Sequence, residues 1–401
     1  MNHQRASIWL GLSFWVTPVS FAAVFYFCGL VTSEDRPSGE HFPIDQYGYI
    51  SIPVQLFGEK LNFCLDTGHS ETQFHPDLRD QLGPKSKEKE VVTGVGNKVL
   101  EFFEHPELLI GDKSPETFRT TDLAICARSG SGYSDFWRRY NGLLGMSYLR
   151  SKVLHIKFDE SFAEFLVPAL NDESHTERMR FSNSVAHILL RVSDEGFQSF
   201  AIDTGAGTNV GLSHDLFRIL VNKRKISLAP SIEITTSINT GTTRSGILDS
   251  LELGPYRFTN VSVLEMPVNL LGMRFLSRFD LELDFPNRIA QFKPGRRIDI
   301  QDRRYRTGFG VARVNGRTFI GETQPDGIGW NAGIRDDDDL ISIDDNPIEK
   351  LTILKIRDLL CDPGVERKFV VQHDGAEHSV VLKLSNEPDP FPNEPVRRTD
   401  P

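Results

Sequence analysis

Cysteine is scarce: four residues in 401 (Cys28, Cys64, Cys126 and Cys361), with no C-x-x-C pair among them. So few and so widely spaced, they exclude a disulfide scaffold or a zinc-ribbon class. Positive charge is also in the minority, with 45 Lys and Arg against 55 Asp and Glu, a formal net charge of -10 and no long basic stretch. That balance argues against nucleic acid as a partner. Low-complexity tracts are missing; the 22 Pro and 32 Gly are scattered, which suits a turn-rich β protein. The common catalytic signatures H-E-x-x-H, G-x-S-x-G and G-x-x-x-x-G-K do not occur, and Gly205-Ala206-Gly207 followed by Gly211 misses dinucleotide spacing. What is present is apolar material, 39% of the chain with 28 Phe, enough for real cores. A length of 401 residues points to two or three units.

From Ile8 to Thr32 there is no charged residue. Twenty-five residues of helix would cross a hydrocarbon core of about 30 Å. Arg5 precedes the run and Glu34 and Asp35 follow it, so the positive-inside bias sends the remainder out of the cytoplasm. Two readings stand. One is an uncleaved membrane anchor, favoured because the apolar run continues well past Ala22. The other is a signal peptide cleaved after Ser20-Phe21-Ala22, giving a secreted or periplasmic protein. Both predict export.

Residues 1–43 therefore read as anchor or signal segment plus a polar tether. Residues 44–167 and 185–293 are two strand-rich lobes of short β-branched and aromatic segments cut by Gly, Asn and Asp, joined by a charged connector at 168–184. Residues 294–306 read as a solvated basic linker, 307–385 as a third compact unit, and 386–401 as a disordered tail rich in Pro and charge.

An internal repeat carries the chemistry. Phe63-Cys64-Leu65-Asp66-Thr67-Gly68 recurs as Phe200-Ala201-Ile202-Asp203-Thr204-Gly205. Downstream, Gly142-Leu143-Leu144-Gly145-Met146 recurs as Asn269-Leu270-Leu271-Gly272-Met273. A lone Asp-Thr-Gly is a weak signal, whereas two copies with the same second motif behind them are strong. A strand delivers each Asp at its end, and the Gly two residues on admits another backbone without a Cβ clash. Thr67 and Thr204 can hydrogen-bond across the two loops. With the halves packed about a pseudo-twofold axis, Asp66 and Asp203 meet. Carboxyls that close cannot both ionise, so one acts as base on a water while the other polarises a carbonyl.

These residues resemble a retropepsin-type aspartic protease, with both pepsin-like lobes on one chain, over about residues 45–293. The resemblance implies two β-barrel lobes, catalytic Asp66 and Asp203, and loop support from Thr67, Gly68, Leu144, Gly145, Thr204, Gly205, Leu271 and Gly272. It further implies endopeptidase activity on peptide or protein substrates with no cofactor and no metal. Hairpin flaps would cover the cleft, with candidate turns at Thr93-Gly94-Val95-Gly96-Asn97 and Asn239-Thr240-Gly241-Thr242. One position departs from the pattern: Ala206 follows the second Asp-Thr-Gly as the family expects, but His69 follows the first. A bystander imidazole is the favoured reading of His69, and two buried thiols that of Cys64 and Cys126.

The third unit resembles a PDZ domain, an α/β sandwich. Its signature is Thr307-Gly308-Phe309-Gly310-Val311, then Gly329-Trp330-Asn331-Ala332-Gly333-Ile334, then the apolar-patterned LTILKIRDLLCD and two strands joined at Asp374-Gly375. The resemblance implies that Gly308, Phe309, Gly310 and Val311 bind the carboxylate of peptide C-termini. Asp336 to Asp339 stand where the family has a Pro-Gly-Asp turn and read as a solvated acidic turn rather than a calcium site. Asn260-Val261-Ser262 is a formal glycosylation sequon. The fold expected is thus mainly β, with two retropepsin-like lobes in pseudo-twofold arrangement plus a PDZ-like sandwich. The competing function is a non-catalytic envelope scaffold whose degenerate lobes only bind peptides.

Overall fold

A computed structural model describes residues 40–401 apart from 46–47, 94–95, 114, 128–138, 166–173, 236–239, 300–301, 303–304, 315–316, 322, 324–325, 352, 387–395 and 399–401. Among them the chain is mainly β. The apolar run Ile8–Thr32 lies outside the described residues; no described helix is long and apolar enough to cross a membrane.

Every second side chain of Ser51–Leu56 is buried, the signature of a strand with one face in a core. It turns through Phe57 and Gly58, both at positive φ (53° and 83°), onto Glu59–Leu65, the strand that carries Asp66 at its end. The sheet of the first half runs in spatial order Lys85–Thr93, Gly96–Glu104, Leu123–Ala127, Gln73–Phe74, Gly142–Leu144, Glu59–Leu65, Ser51–Leu56, Leu108–Ile110 and Glu116–Phe118.

The second half repeats the central part of this order. Phe197–Ile202 pairs in parallel with Leu270–Leu271, which in turn pairs antiparallel with Val210–Ser213. The sheet continues through Tyr256–Met266 and Thr240–Leu253 to Ile226–Thr235. Because Val185–Val192 pairs both with Phe197–Ile202 and with Thr240–Leu253, six of these strands close into a barrel.

A third sheet is shared. Val153–Lys157 of the first half lies antiparallel to Phe279–Asp284 of the second, with His155 opposite Glu282. These two strands follow the equivalent second motifs of the repeat. Phe162–Phe165 and Phe42–Pro43 extend the sheet on one side, and Ile289–Pro294 and His175–Arg178 on the other. One apolar core runs through both halves, including Phe63, Leu144, Phe200, Leu271 and Phe279.

Residues 307–384 have a core of their own, with Phe309, Ile320, Leu340, Ile356 and Phe369 at its centre. Their sheet order is Gly310–Val314, Arg317–Gly321, Asp339–Ile343, Glu366–His373 and Ala376–Lys383. The last two strands turn at Asp374 and Gly375, both at positive φ (47° and 81°). Gly310–Val314 is an edge strand, with the helix Ile353–Leu359 packed against it.

Three details go beyond what composition announces. In the segment read as a solvated linker, Asp302 and Arg306 are buried. In the segment read as a disordered tail, Arg397–Arg398 forms a short strand antiparallel to Tyr256 and Arg257. Asn260 of the formal sequon is 2% exposed with φ 53°, a position closed to a glycosyl group in the folded chain.

Candidate active site

Each Asp sits where a strand meets a loop, and the Leu-Leu-Gly motif holds that junction. Leu143 and Leu144 pair in parallel with Cys64 and Leu65, while Leu143 pairs antiparallel with Gln73 beyond the loop. The Leu-Leu-Gly strand is therefore threaded between the two legs of the Asp66 loop. The second half does the same with Leu270 and Leu271 between Phe197–Ile202 and Val210–Ser213. The amide of Asp66 donates to the Leu144 carbonyl at 3.0 Å, and that of Asp203 to Leu271 at 3.0 Å.

The glycines of the motifs are required by close approach. A Cβ on Gly68 would lie 2.3 Å from the Asp203 carboxyl carbon, and one on Gly205 would lie 2.3 Å from that of Asp66. Each Asp-Thr-Gly loop is thus packed face to face with the other loop's carboxyl. Gly145 and Gly272 are equally confined: a Cβ there would meet the Glu71 carbonyl at 2.1 Å and the Thr208 carbonyl at 2.4 Å.

The two threonines lock the loops reciprocally. Thr67 Oγ1 accepts from the Thr204 amide at 3.0 Å and donates to the Ile202 carbonyl at 2.6 Å. Thr204 Oγ1 accepts from the Thr67 amide at 3.0 Å and donates to the Leu65 carbonyl at 2.9 Å. Both residues are fully buried. Four hydrogen bonds made by fully buried side chains fix the separation of the two Asp-bearing turns.

Asp66 is 8% exposed. Burial raises its carboxyl from an ordinary 3.8 to about 6, opposed by hydrogen bonds from the Gly68, His69 and Gly205 amides. Asp203 is raised well above the ordinary value, first by burial and then by the charge of Asp66. The carboxyls hydrogen-bond each other, which lowers Asp66 and raises Asp203. A bond between two acceptors needs a proton on one of them, so the pair holds one proton between its two carboxyls. Gly68 and Gly205 each donate an amide to Oδ1 of the Asp two residues earlier, at 2.8 and 3.0 Å.

His69 turns to its own loop: Nδ1 lies 2.9 Å from the Glu71 carbonyl, which can only accept, so Nδ1 carries the proton. Its own carbonyl accepts the Met146 amide at 2.8 Å, tying the loop to the residue after Gly145. Beneath the site, Cys64 packs with Tyr140, Leu143 and Tyr49. Burial and the neighbouring Asp66 push its thiol up. Tyr140 hydrogen-bonds the Asp45 carboxylate, and a Cβ on Gly207 would come within 2.8 Å of the Tyr49 hydroxyl. Tyr49 thus reaches the loop of the other half. Both candidate flaps end hairpins, Lys85–Thr93 with Gly96–Glu104 and Ile226–Thr235 with Thr240–Leu253; residues 94–95 and 236–239 of their turns lie outside the described residues.

In the C-terminal unit Gly308 takes φ 73°. Phe309 is fully buried against Phe369 and Val311 is 6% exposed, so both face the core and can offer a ligand only backbone groups. The acidic run is occupied internally. Asp338 accepts from the Arg335 amide and lies 2.5 Å from His373, Asp336 accepts from the Thr323 amide, and Asp339 pairs with Arg317. Asp338 raises His373 above its ordinary value.

Sequence reasoning missed three polar residues behind the second loop: Asn209, Arg278 and Asp302, joined in a buried network. Their only advance signal was an acid in a basic linker. A scan against protein-family models and a search of curated proteins each found nothing that matches this chain.

Proposed function

We propose that the chain is an exported aspartic endopeptidase that hydrolyses peptide bonds with a water held between Asp66 and Asp203, and that residues 307–385 form a PDZ-like unit for peptide C-termini. The observation that carries the reading is the pair of buried carboxyls, hydrogen-bonded to each other across two loops of the same sequence and the same threading. Its support includes the reciprocal threonine bonds, which belong to a site built to hold two carboxyls in register.

In this reading one carboxyl of the pair, Asp66, takes a proton from the water as its oxygen attacks the scissile carbonyl carbon. Asp203 gives its proton to the carbonyl oxygen, leaving a tetrahedral gem-diol. Collapse returns a proton from a diol hydroxyl to the dyad and delivers one to the amide nitrogen; the C–N bond breaks, releasing a carboxylic acid and an amine. For the PDZ-like unit, support comes from Gly310–Val314, an edge strand of its sheet with the helix Ile353–Leu359 against it, to which a peptide could add as a further strand; Ile226–Thr235 of the second half also approaches this strand. The N-terminal run, as anchor or cleaved signal, places this activity outside the cytoplasm.

Asp66→Asn and Asp203→Asn, nearly isosteric, are each expected to abolish cleavage of a peptide library in mildly acidic buffer, with the double variant adding little further loss. Full activity of Asp203→Asn with none in Asp66→Asn would sink the single-site reading. A wild-type chain that binds peptide C-termini and cleaves nothing under any condition would hand the case to a peptide-binding scaffold.

A further inference from the structure

Of the two acids in the basic linker, Asp299 and Asp302, the second does not face solvent. The side chain of Asp302 is 3% exposed and inserts into the second half. Its Oδ1 pairs with Arg278 Nη2 at 2.6 Å, and its Oδ2 accepts the Ser262 amide at 2.8 Å and the Asn209 side-chain amide. Arg278, 6% exposed at its side chain, also donates from Nη1 to Asn209 Oδ1 at 3.0 Å, with its guanidinium 5.2 Å from the Phe275 ring centre. A buried ion pair therefore holds the Asn209 amide at both its oxygen and its nitrogen.

Asn209 belongs to the loop of the second Asp, six residues past Asp203. Its carbonyl accepts the Gly272 amide at 2.9 Å, and its side chain also reaches the Ser262 carbonyl at 3.0 Å. The first loop is braced differently. Thr72, six residues past Asp66, meets Ser147 Oγ at 3.1 Å, a partner in its own half. Among these described contacts, it is the second loop that is held by a residue of the segment leading to the C-terminal unit. The far end of that unit returns to the same place: Arg397–Arg398 pairs with Tyr256 and Arg257, on the strand that also presents Ser262 to Asp302. The segment before the C-terminal unit, through Asp302, and the segment after it, through Arg397–Arg398, are both fastened to Tyr256–Met266.

We infer that Asp302 is a positioning residue for the second Asp-Thr-Gly loop, acting through Arg278 and Asn209, so that the seating of the C-terminal unit sets the geometry of Asp203. The kinetic part of this inference rests on the endopeptidase reading; the structural part does not. Removing the carboxylate charge takes from Arg278 the 2.6 Å ion pair that orients its guanidinium, and the guanidinium shifts or hydrates, releasing Asn209. Substrate contacts elsewhere in the cleft are untouched.

The test uses the full chain carrying Asp302→Asn. Peptide cleavage should lose kcat by about tenfold or more with KM within about twofold, since positioning and not binding is impaired. Amide hydrogen exchange at Gly205, Asn209 and Gly272 should accelerate by about tenfold or more, while Val54 and Leu154 in the first half keep wild-type rates. A folded Asp302→Asn with wild-type kcat and wild-type exchange at those three amides overturns the inference. If Asp302→Asn does not fold, Arg278→Met with Asp302→Leu removes the brace while leaving no buried charge. The same losses are expected there, and wild-type exchange in that folded variant overturns the inference. Should the wild type cleave no peptide, the endopeptidase reading fails by itself and the exchange measurement still decides the role of Asp302.

Discussion

Replacing Thr67 by Val tests the lock between the two loops. The shapes match, but the hydroxyl that bonds the Ile202 carbonyl at 2.6 Å and the Thr204 amide at 3.0 Å is gone. Thr67 and Thr204 are both 0% exposed, so water cannot take over either role. An unsatisfied buried donor or acceptor costs about 1–3 kcal/mol. Two of them put the loss at roughly 2–6 kcal/mol, a large share of the roughly 5–15 kcal/mol that holds a domain together. Thr67→Ser keeps the hydroxyl and loses only a methyl group, about 1 kcal/mol. By the reciprocity of the bonds, Thr204→Val should match Thr67→Val. The double variant should fall short of the sum by about 0.5–3 kcal/mol, because a loop freed by the first change has less to lose in the second. Urea unfolding followed by circular dichroism reads all four variants. A Thr67→Val chain within about 0.5 kcal/mol of wild type, or indistinguishable from Thr67→Ser, would refute the claim that these bonds fix the loops.

The dyad also makes stability depend on pH. Both carboxyls titrate higher folded than unfolded, Asp66 at about 6 against 3.8, so the folded chain holds their protons more tightly. Their contribution is full below about pH 4; the part of Asp66 is lost as pH rises through about 6, and that of Asp203 as pH rises through its own raised titration. Wild-type unfolding free energy should fall from about pH 4 upward relative to Asp66→Asn/Asp203→Asn, and equal slopes would refute it. Cys64, Cys126 and Cys361 are buried and form no disulfide among the described residues, with burial pushing the Cys64 thiol up and the Cys126 thiol up to about 12. At pH 8 a maleimide should label them about a hundredfold more slowly in the folded chain than in urea, read peptide by peptide by mass spectrometry; rapid native labelling of Cys64 would overturn the assignment.

The dyad was legible because its chemistry is local and doubled. Asp, Thr and Gly at consecutive positions each have one job, and the second copy removes the ambiguity of the first. The apolar Leu-Leu-Gly motif was legible as a repeat, though not as a strand threaded between loop legs, since parallel pairing over about 79 residues leaves no local trace. Asp302 was read with its neighbours: in a stretch holding Arg296, Arg297, Arg303 and Arg304, one acid looks solvated, and its partner Arg278 lies in a segment whose apolar period says nothing about a buried cation. Arg397 and Arg398 were hidden for the same reason, because a two-residue strand pairs through backbone groups that composition cannot register. His69 was flagged as an anomaly beside the dyad. What the sequence could not reveal was the Glu71 carbonyl that occupies Nδ1.

The shared sheet has a consequence for how the chain is made. Its central pairing sets His155 against Glu282, residues 127 positions apart. The native partner of Val153–Lys157 cannot take its place until the second half has been synthesised, which at about 5–20 residues per second leaves that edge open for roughly 6 to 25 seconds. Partners so distant along the chain also meet slowly once both exist. During that interval a strand of sequence VLHIK, with Val153, Leu154 and Ile156 destined for burial, is a template for pairing with another nascent copy. Crowded polysomes should therefore be where this protein aggregates. Slowing translation after residue 160 should lower its yield more than slowing it after residue 290.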